Sequence, residues 1–307
     1  MANRKLSILC PVFNEASALP LFYERLKPVL AELSRRYDVE LVFLDNASTD
    51  ATYERILEVR RDWPSTYVIV NSRNVGYQRS LAGALQNVSG DLFVFIDVDC
   101  EDPPEMIADF VRRHEEGGYD VVYGQRADRD EPQIIKFARK MFYRLLRVFA
   151  DEEIILDMAE FALFTDEVRA AIVRENSSYP FIRASIGRVG FRRFAIPYKR
   201  QRRIAGESNY NLLSMSIFAV GGILSSSTFF LRLPIYLFPF WIVALCATGV
   251  LYVRDPGPIW AVCGALIFAI YIGFVLAFTA LYVARTYKNG LGRPNVYIDH
   301  RKSILPE

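Results

Sequence analysis

The chain has 307 residues, room for one large domain or two smaller ones, and its 37 Lys and Arg against 35 Asp and Glu leave a formal charge of +2. That balance excludes a histone-like polycation. With only two histidines, His114 and His300, serine-hydrolase triads and histidine-rich metal centres are excluded as well.

Hydrophobic residues make up 52% of the chain, and the excess is concentrated at the C-terminal end. At the N-terminus, Arg4 and Lys5 precede the apolar run Leu6 to Cys10 in the manner of a signal peptide. Pro11 and Asn14-Glu15 cut that run short, so it reads as a first strand. Further β-rich runs at Val39 to Leu44, Tyr67 to Val70 and Leu92 to Ile96 alternate with helical patterns at Ala18 to Tyr37, Ala51 to Trp63 and Gln78 to Asn87. Such alternation predicts a mostly parallel sheet with helices on both faces. Ligands of such sheets bind beyond the carboxyl ends of the strands. The loops to watch are therefore PVFNE (Pro11 to Glu15), DNASTD (Asp45 to Asp50), NSRNVGY (Asn71 to Tyr77) and DVDCED (Asp97 to Asp102). Asp50 reads as a helix N-cap and Gly76 as a turn residue. Asn14, Glu15 and Asp45 have no comparable structural excuse.

The fourth loop carries the densest charge. Asp102, Pro103, Pro104 and Glu105 fit a helix start with Asp at the N-cap. Asp97, Asp99 and Glu101 remain, and in an extended chain they point to one side. Three crowded carboxylates are costly without a cation. Oxygen-only ligands suit Mg2+ or Mn2+, which takes one or two protein carboxylates and completes its sphere with substrate phosphates.

Cys10, Cys100, Cys246 and Cys263 form no CxxC pair, so neither a disulfide framework nor a zinc site is predicted. Gln133 to Ala150 reads as a basic amphipathic helix, for a membrane surface or for ordinary core packing. Arg188 to Arg203 holds seven basic residues and no acid. Lipid or substrate phosphate is a nearer partner for it than nucleic acid, because the uncharged run Asn211 to Phe230 follows and reads as an interfacial helix. Leu233 to Val253 and Ile259 to Ala284 are each long enough to span a bilayer, and Arg254 to Pro258 separates them. The division that follows is a cytosolic domain over 1–205, a juxtamembrane helix over 206–230, spans over 231–254 and 258–285, and a basic tail over 286–307. Arg285, Lys288, Arg293, Arg301 and Lys302 place that tail and both termini on the cytoplasmic side.

Taken together, the ordered motifs PVFNE, LDNASTD, RNVGYQRSLAGAL, DVDCEDPPE, YGQRADR, DMAEFALF, RRIAGESNY and GRPNVYI resemble those of family 2 glycosyltransferases of the GT-A fold. The likeness is to the polyprenyl-phosphate enzymes related to dolichol-phosphate mannose synthase and bacterial undecaprenyl-phosphate glucosyltransferases. The resemblance implies a Rossmann-like sheet and an inverting transfer from a nucleotide sugar, a UDP-sugar favoured and GDP-mannose possible, to a polyprenyl phosphate. It places the donor on Pro11, Phe13, Asn14, Glu15, Asp45, Asn46, Asp97, Val98 and Asp99, and the metal on Asp97 and Asp99. Asp157 falls at the reacting centre. The chain departs from the pattern at DNAS for DDGS, at Glu101 for Gln, which adds a possible ligand, and at Asn209 for the Lys of GESK. Arg126, Arg129 and Arg203, with Ser208, are left as the expected phosphate and acceptor contacts. Membrane lipids are further expected partners, self-association through the membrane region is allowed, and nucleic acid is not expected. A processive polysaccharide synthase would carry QxxRW and a sugar nucleotidyltransferase GxGTR; neither motif occurs. A catalytically dead scaffold is the remaining rival.

Overall fold

The computed structural model describes residues 4–126, 155, 158–205, 224 and 227–306. Asp157, Arg129, Ser208, the amphipathic helix expected at 133–150 and nearly all of the expected interfacial helix lie outside them.

The chain begins β1 (Arg4–Val12), α1 (Leu19–Leu33), β2 (Tyr37–Asp45), α2 (Thr52–Asp62), β3 (Thr66–Val70), α3 (Tyr77–Leu85) and β4 (Leu92–Phe95). It continues through α4 (Met106–Gly117), β5 (Val121–Arg126), β6 (Met158–Thr165), α5 (Asp166–Arg174), α6 (Ile182–Val189) and β7 (Arg193–Tyr198). Seven strands form one sheet in the order β3-β2-β1-β4-β6-β5-β7. All run the same way except β6, which is antiparallel to both neighbours.

Alternation along the strands divides the core in two. Leu6, Ile8 and Cys10 of β1 face α1, α2 and α4, where Phe22, Leu26, Ile56 and Phe110 are buried. Leu9, with Val42 and Leu44 of β2, faces α3, α5 and α6 through Leu81, Leu85, Val168 and Ile186. Both faces of the sheet are thus covered, as the predicted α/β class requires.

Beyond this domain, α7 (Phe229–Arg254) and α8 (Pro258–Gly290) have peak mean hydropathies of 1.9 and 2.5, and no residue in either apolar window is buried. Lack of burial separates them from core helices of a soluble protein. They pack on each other through a Trp241–Tyr271 stack at 4.5 Å and hydrogen bonds from Tyr271 Oη to the Pro234 carbonyl (3.0 Å) and from Trp241 Nε1 to the Ile267 carbonyl (3.2 Å). At 33 residues, α8 is about 50 Å long, more than the roughly 30 Å needed to cross a hydrocarbon core.

The segment expected only as a basic tail is also structural. It returns to the sheet and lies antiparallel along the open edge of β3, with Ile304 bridged to Val68 and Ile298 to Asn71. The Val68 and Ile304 N–H groups donate to each other's carbonyls (2.9 and 2.8 Å), Ser72 N–H to Tyr297 O (2.7 Å) and Asp299 N–H to Val70 O (2.8 Å). An edge strand presents unpaired backbone groups, and residues 297–304 satisfy them here.

Candidate active site

From β1 the chain winds outward through β2 to β3, then returns to β4 on the other side of β1. The loops leaving β1 and β4 therefore diverge, which opens the crevice where doubly wound sheets take ligands.

The β1 and β2 loops are laced together. Asn14, at φ 57°, donates its N–H to Ser48 Oγ (3.0 Å) and accepts the Thr49 N–H on Oδ1 (2.8 Å). Glu15 N–H donates to Thr52 Oγ1 (2.8 Å). Asp50, expected as the N-cap, lies one residue before the N-cap position, Ala51, and accepts the N–H of Thr52 at the start of α2 (3.0 Å) and that of Ala16 (3.2 Å). Asp45, buried at the end of β2, accepts the Ser48 N–H (2.9 Å), and burial raises its pKa above the usual carboxylate range. Asn46, expected at the nucleotide, serves as a scaffold. Its Oδ1 accepts from Val75 N–H (3.0 Å) and Asn71 Nδ2 (3.1 Å), and its Nδ2 donates to Asn74 (2.8 Å). Those bonds fix the β3–α3 loop, where Gly76 turns at φ +85°.

The DVDCED loop corrects two expectations. The extended backbone ends with β4 at Phe95 and the chain turns, with Cys100 at φ 56°, so strand alternation does not order residues 97, 99 and 101, although Asp99 stays beside both Asp97 and Glu101. Asp97 accepts from Tyr77 Oη (2.9 Å), Asp99 is buried and accepts the Glu101 N–H (3.0 Å), and Glu101 pairs with Arg200. Among the described residues no three His, Cys, Asp or Glu side chains are grouped to hold a metal. The expected third ligand, Glu101, is taken up by an arginine. Asp97 and Asp99 remain, and burial followed by the charges of Asp99 and Asp102 pushes the Asp97 carboxyl up to about 8. A buried Asp97 carboxyl crowded by acids, with Asp99 beside it, fits a divalent ion that draws its other ligands from phosphate and water.

Asp102 is the second correction. Helix α4 starts later, at Met106, and it is the Pro103 and Pro104 carbonyls that accept the Met106 and Ile107 N–H groups (both 3.1 Å). Asp102 is buried, accepts a hydrogen bond from Tyr198 Oη and lies 3.8 Å from Arg126. Arg126, expected at the acceptor phosphate, is thereby held by a buried carboxylate.

Arg203 is placed differently. The segment after β7 runs along the DVDCED loop, with Gln201 N–H to Glu101 O (2.9 Å) and Ile204 N–H to Asp99 O (3.0 Å). This sets the Arg203 guanidinium 3.1 Å from Glu15 and 3.5 Å from Asp99, bridging the loops of β1 and β4. Sequence reasoning missed the floor of the crevice. There Glu160 of β6 is buried, pairs with Arg183 and accepts from Gln78 Nε2 (3.0 Å). A lone acid between apolar residues of a strand was the available signal; its partners, 82 and 23 residues away, left none.

The sequence model of glycosyl transferase family 2 matches residues 7–170, more than half of the chain and all four strand-end loops. The chain belongs to glycosyl transferase family 2. An uncharacterized glycosyltransferase, YkcC, of Bacillus subtilis is 34% identical to it over 80% of this chain and 74% of that protein. The bactoprenol glucosyl transferase of Shigella phage SfX is 29% identical over 97% of this chain and 100% of the phage protein. A prophage bactoprenol glucosyl transferase homolog of Escherichia coli is 31% identical over 76% of each. Among solved structures, glucosyl-3-phosphoglycerate synthase of Mycobacterium tuberculosis superposes at a TM-score of 0.49 with 19% identity, over 69% of this chain and 74% of that one. The phage alignment takes in the apolar hairpin and the returning tail as well as this family 2 domain.

Proposed function

We propose that this family 2 glycosyltransferase moves a sugar from a nucleotide sugar, a UDP-sugar before GDP-mannose, to a membrane-held polyprenyl phosphate. The observation that carries the reading is the coupling of an acidic switch-point crevice to an unburied apolar hairpin whose far end returns to the same domain. The names of the phage relatives, bactoprenol glucosyl transferases, make glucose the first sugar to try. A polyprenyl tail leaves a bilayer only at about 0.8 kcal/mol per CH2, so the enzyme has to meet it there.

In the donor half of the crevice, Asn14, Glu15 and Asp45 sit on loops fixed by their own hydrogen bonds, ready for the nucleoside. Asp97 and Asp99 would hold Mg2+ or Mn2+, which when bound supplies charge neutralisation to the departing diphosphate. Tyr77 fixes the Asp97 carboxylate through its hydroxyl. Arg203, carrying a fork of donors between the two loops, suits phosphate oxygens. An acceptor phosphate monoester has its second pKa near 6 and is largely ionised at neutral pH. Asp157 then serves to position or charge-balance it as much as to deprotonate it. Attack from the face opposite the diphosphate inverts the anomeric centre.

Incubating the full chain in detergent with undecaprenyl phosphate, a divalent ion and a panel of UDP- and GDP-sugars should yield a lipid-linked monosaccharide by mass, and EDTA should abolish it. No product from any donor would overturn the proposal. Arg203→Lys keeps charge and loses the fork. Losing one charge-assisted hydrogen bond, about 1.5–3 kcal/mol, should lower kcat/KM roughly 10- to 100-fold. Topology has its own check: a cysteine at Gly257, between α7 and α8, should label with an impermeant reagent from outside intact cells while one at Lys302 should not. Labelling of both would place the tail outside.

A further inference from the structure

We propose that Arg79, Arg285 and Lys288, gathered on the ring of Tyr179, form a binding site for a lipid-borne phosphate, separate from the crevice. The Arg285 guanidinium lies 4.3 Å from the ring centroid, the Lys288 ammonium 5.5 Å and the Arg79 guanidinium 5.8 Å. Arg79 comes from α3, Tyr179 from the loop after α5, and the other two from the last turns of α8, so the cluster exists only when domain and hairpin are docked. That docking is built in. Ser178 donates its N–H to Asn289 Oδ1 (2.9 Å) and its hydroxyl to the Lys288 carbonyl (3.1 Å), and Asn295 Nδ2 donates to the Ser177 carbonyl (2.8 Å).

Charge and depth identify the ligand. Three cations on one ring repel each other. A ring face returns only about 0.5–2 kcal/mol to each, and among the described residues no carboxylate forms an ion pair with any of them. Glu175, four residues before Tyr179, is paired with Arg188. An anion completes the cluster. Arg285 is the first charge after the uncharged run of α8, which sets it at headgroup level once that run fills the bilayer. The anion met there is a phosphate on a lipid.

The site is not the reacting one. Tyr77 points its hydroxyl to Asp97, and Arg79, two residues on at about 100° each, leaves α3 on the opposite side. The placement of Arg285 in the headgroup layer rests on the membrane reading above; the binding claim does not depend on catalysis.

Native mass spectrometry of the full chain in neutral detergent tests it, with phosphatidylglycerol as the anionic probe and phosphatidylcholine as the zwitterionic control. Wild type should retain phosphatidylglycerol in preference. Lys288→Gln, an exposed change that leaves the fold alone, should weaken retention about fivefold, and the triple Gln variant roughly a hundredfold, at about 1 kcal/mol per basic residue. Arg203→Lys, in the crevice, should retain it as wild type does. Added undecaprenyl phosphate distinguishes the two sources: displacement of phosphatidylglycerol makes this a loading site for the acceptor, and simultaneous retention of both makes it an anchor for bulk anionic lipid. Equal retention of both phospholipids by wild type, or unchanged preference in the triple variant, would overturn the proposal. Because no sugar is transferred in this experiment, its failure leaves the proposed reaction untouched, and the reverse holds too.

Discussion

Asp97→Asn should cut turnover by about 10²–10³, the effect of losing one electrostatic group at a reacting centre, and at the same time raise the melting temperature of the metal-free protein at pH 8. The two effects have one cause. Burial and the neighbouring acids push the folded Asp97 carboxyl up to about 8, well above the ordinary carboxylate range, so the folded state binds this proton more tightly than the unfolded chain. The stability that the neutral carboxyl contributes is complete below the unfolded pKa and is lost as pH climbs through the folded one. In EDTA, wild-type melting temperature should therefore fall from pH 5 to pH 8.5. Asp45, Glu15 and Asp102, also raised by burial, add slope of the same sign to both proteins, and the difference between wild type and Asp97→Asn isolates this group. The variant should show a flatter profile and cross above wild type toward the alkaline end. A variant that melts lower than wild type at pH 8 in EDTA would show that Asp97 is compensated in the free protein and would remove the electrostatic argument for a cation there.

Gly83→Ala should destabilise the catalytic domain, although alanine ordinarily improves a helix interior by about 1 kcal/mol. A Cβ built on Gly83 of α3 falls 2.3 Å from Cγ2 and 2.9 Å from Cγ1 of Val296, which is buried as the tail crosses the helix. Valine is stiff at χ1, so the tail must shift, at about the 1–3 kcal/mol typical of overpacking. The double variant separates packing from propensity. On a Val296→Ala background the space opens, and Gly83→Ala should become neutral or stabilising. This reversal of sign amounts to a coupling of more than about 1 kcal/mol, as expected for residues in direct contact. Urea melts of the four proteins measure it. Strict additivity would mean that α3 and the tail do not touch.

The first half of the domain was legible because its strands and helices follow one another locally. Periodicity alone located β1 through β4 and α1 through α3, and the turn from β3 back to β4 put the charged loops at one crevice. Reading failed where a local pattern had two physical explanations. Asp102 before two prolines looks like a helix cap, and only the arrival of Tyr198 and Arg126 from the far side of the sheet turns it into a buried partner. Glu101 was read beside Asp99 from an extended backbone that ends at Phe95, and its ion pair with Arg200, from beyond β7, had no local signal. The β5–β6–β7 edge was carried by motifs rather than by periodicity. The role of residues 296–304 was beyond reach for a similar reason: two short bridges and one buried valine leave no repeating pattern.

The seating of that segment on β3 has a consequence for how the protein is made. Val70 and Ser303 are bonded across 233 residues of sequence, and α7 and α8, both long and apolar enough to cross a membrane, lie between them. Until the chain has been made past α7 and α8, β3 stands with its outer backbone groups open, a template for any passing strand. A chain truncated before residues 297–304 leaves that edge unfinished and open to aggregation. Closure of the edge thus waits on the last residues of the chain, and the sheet is complete only when α7 and α8 have folded back to deliver them.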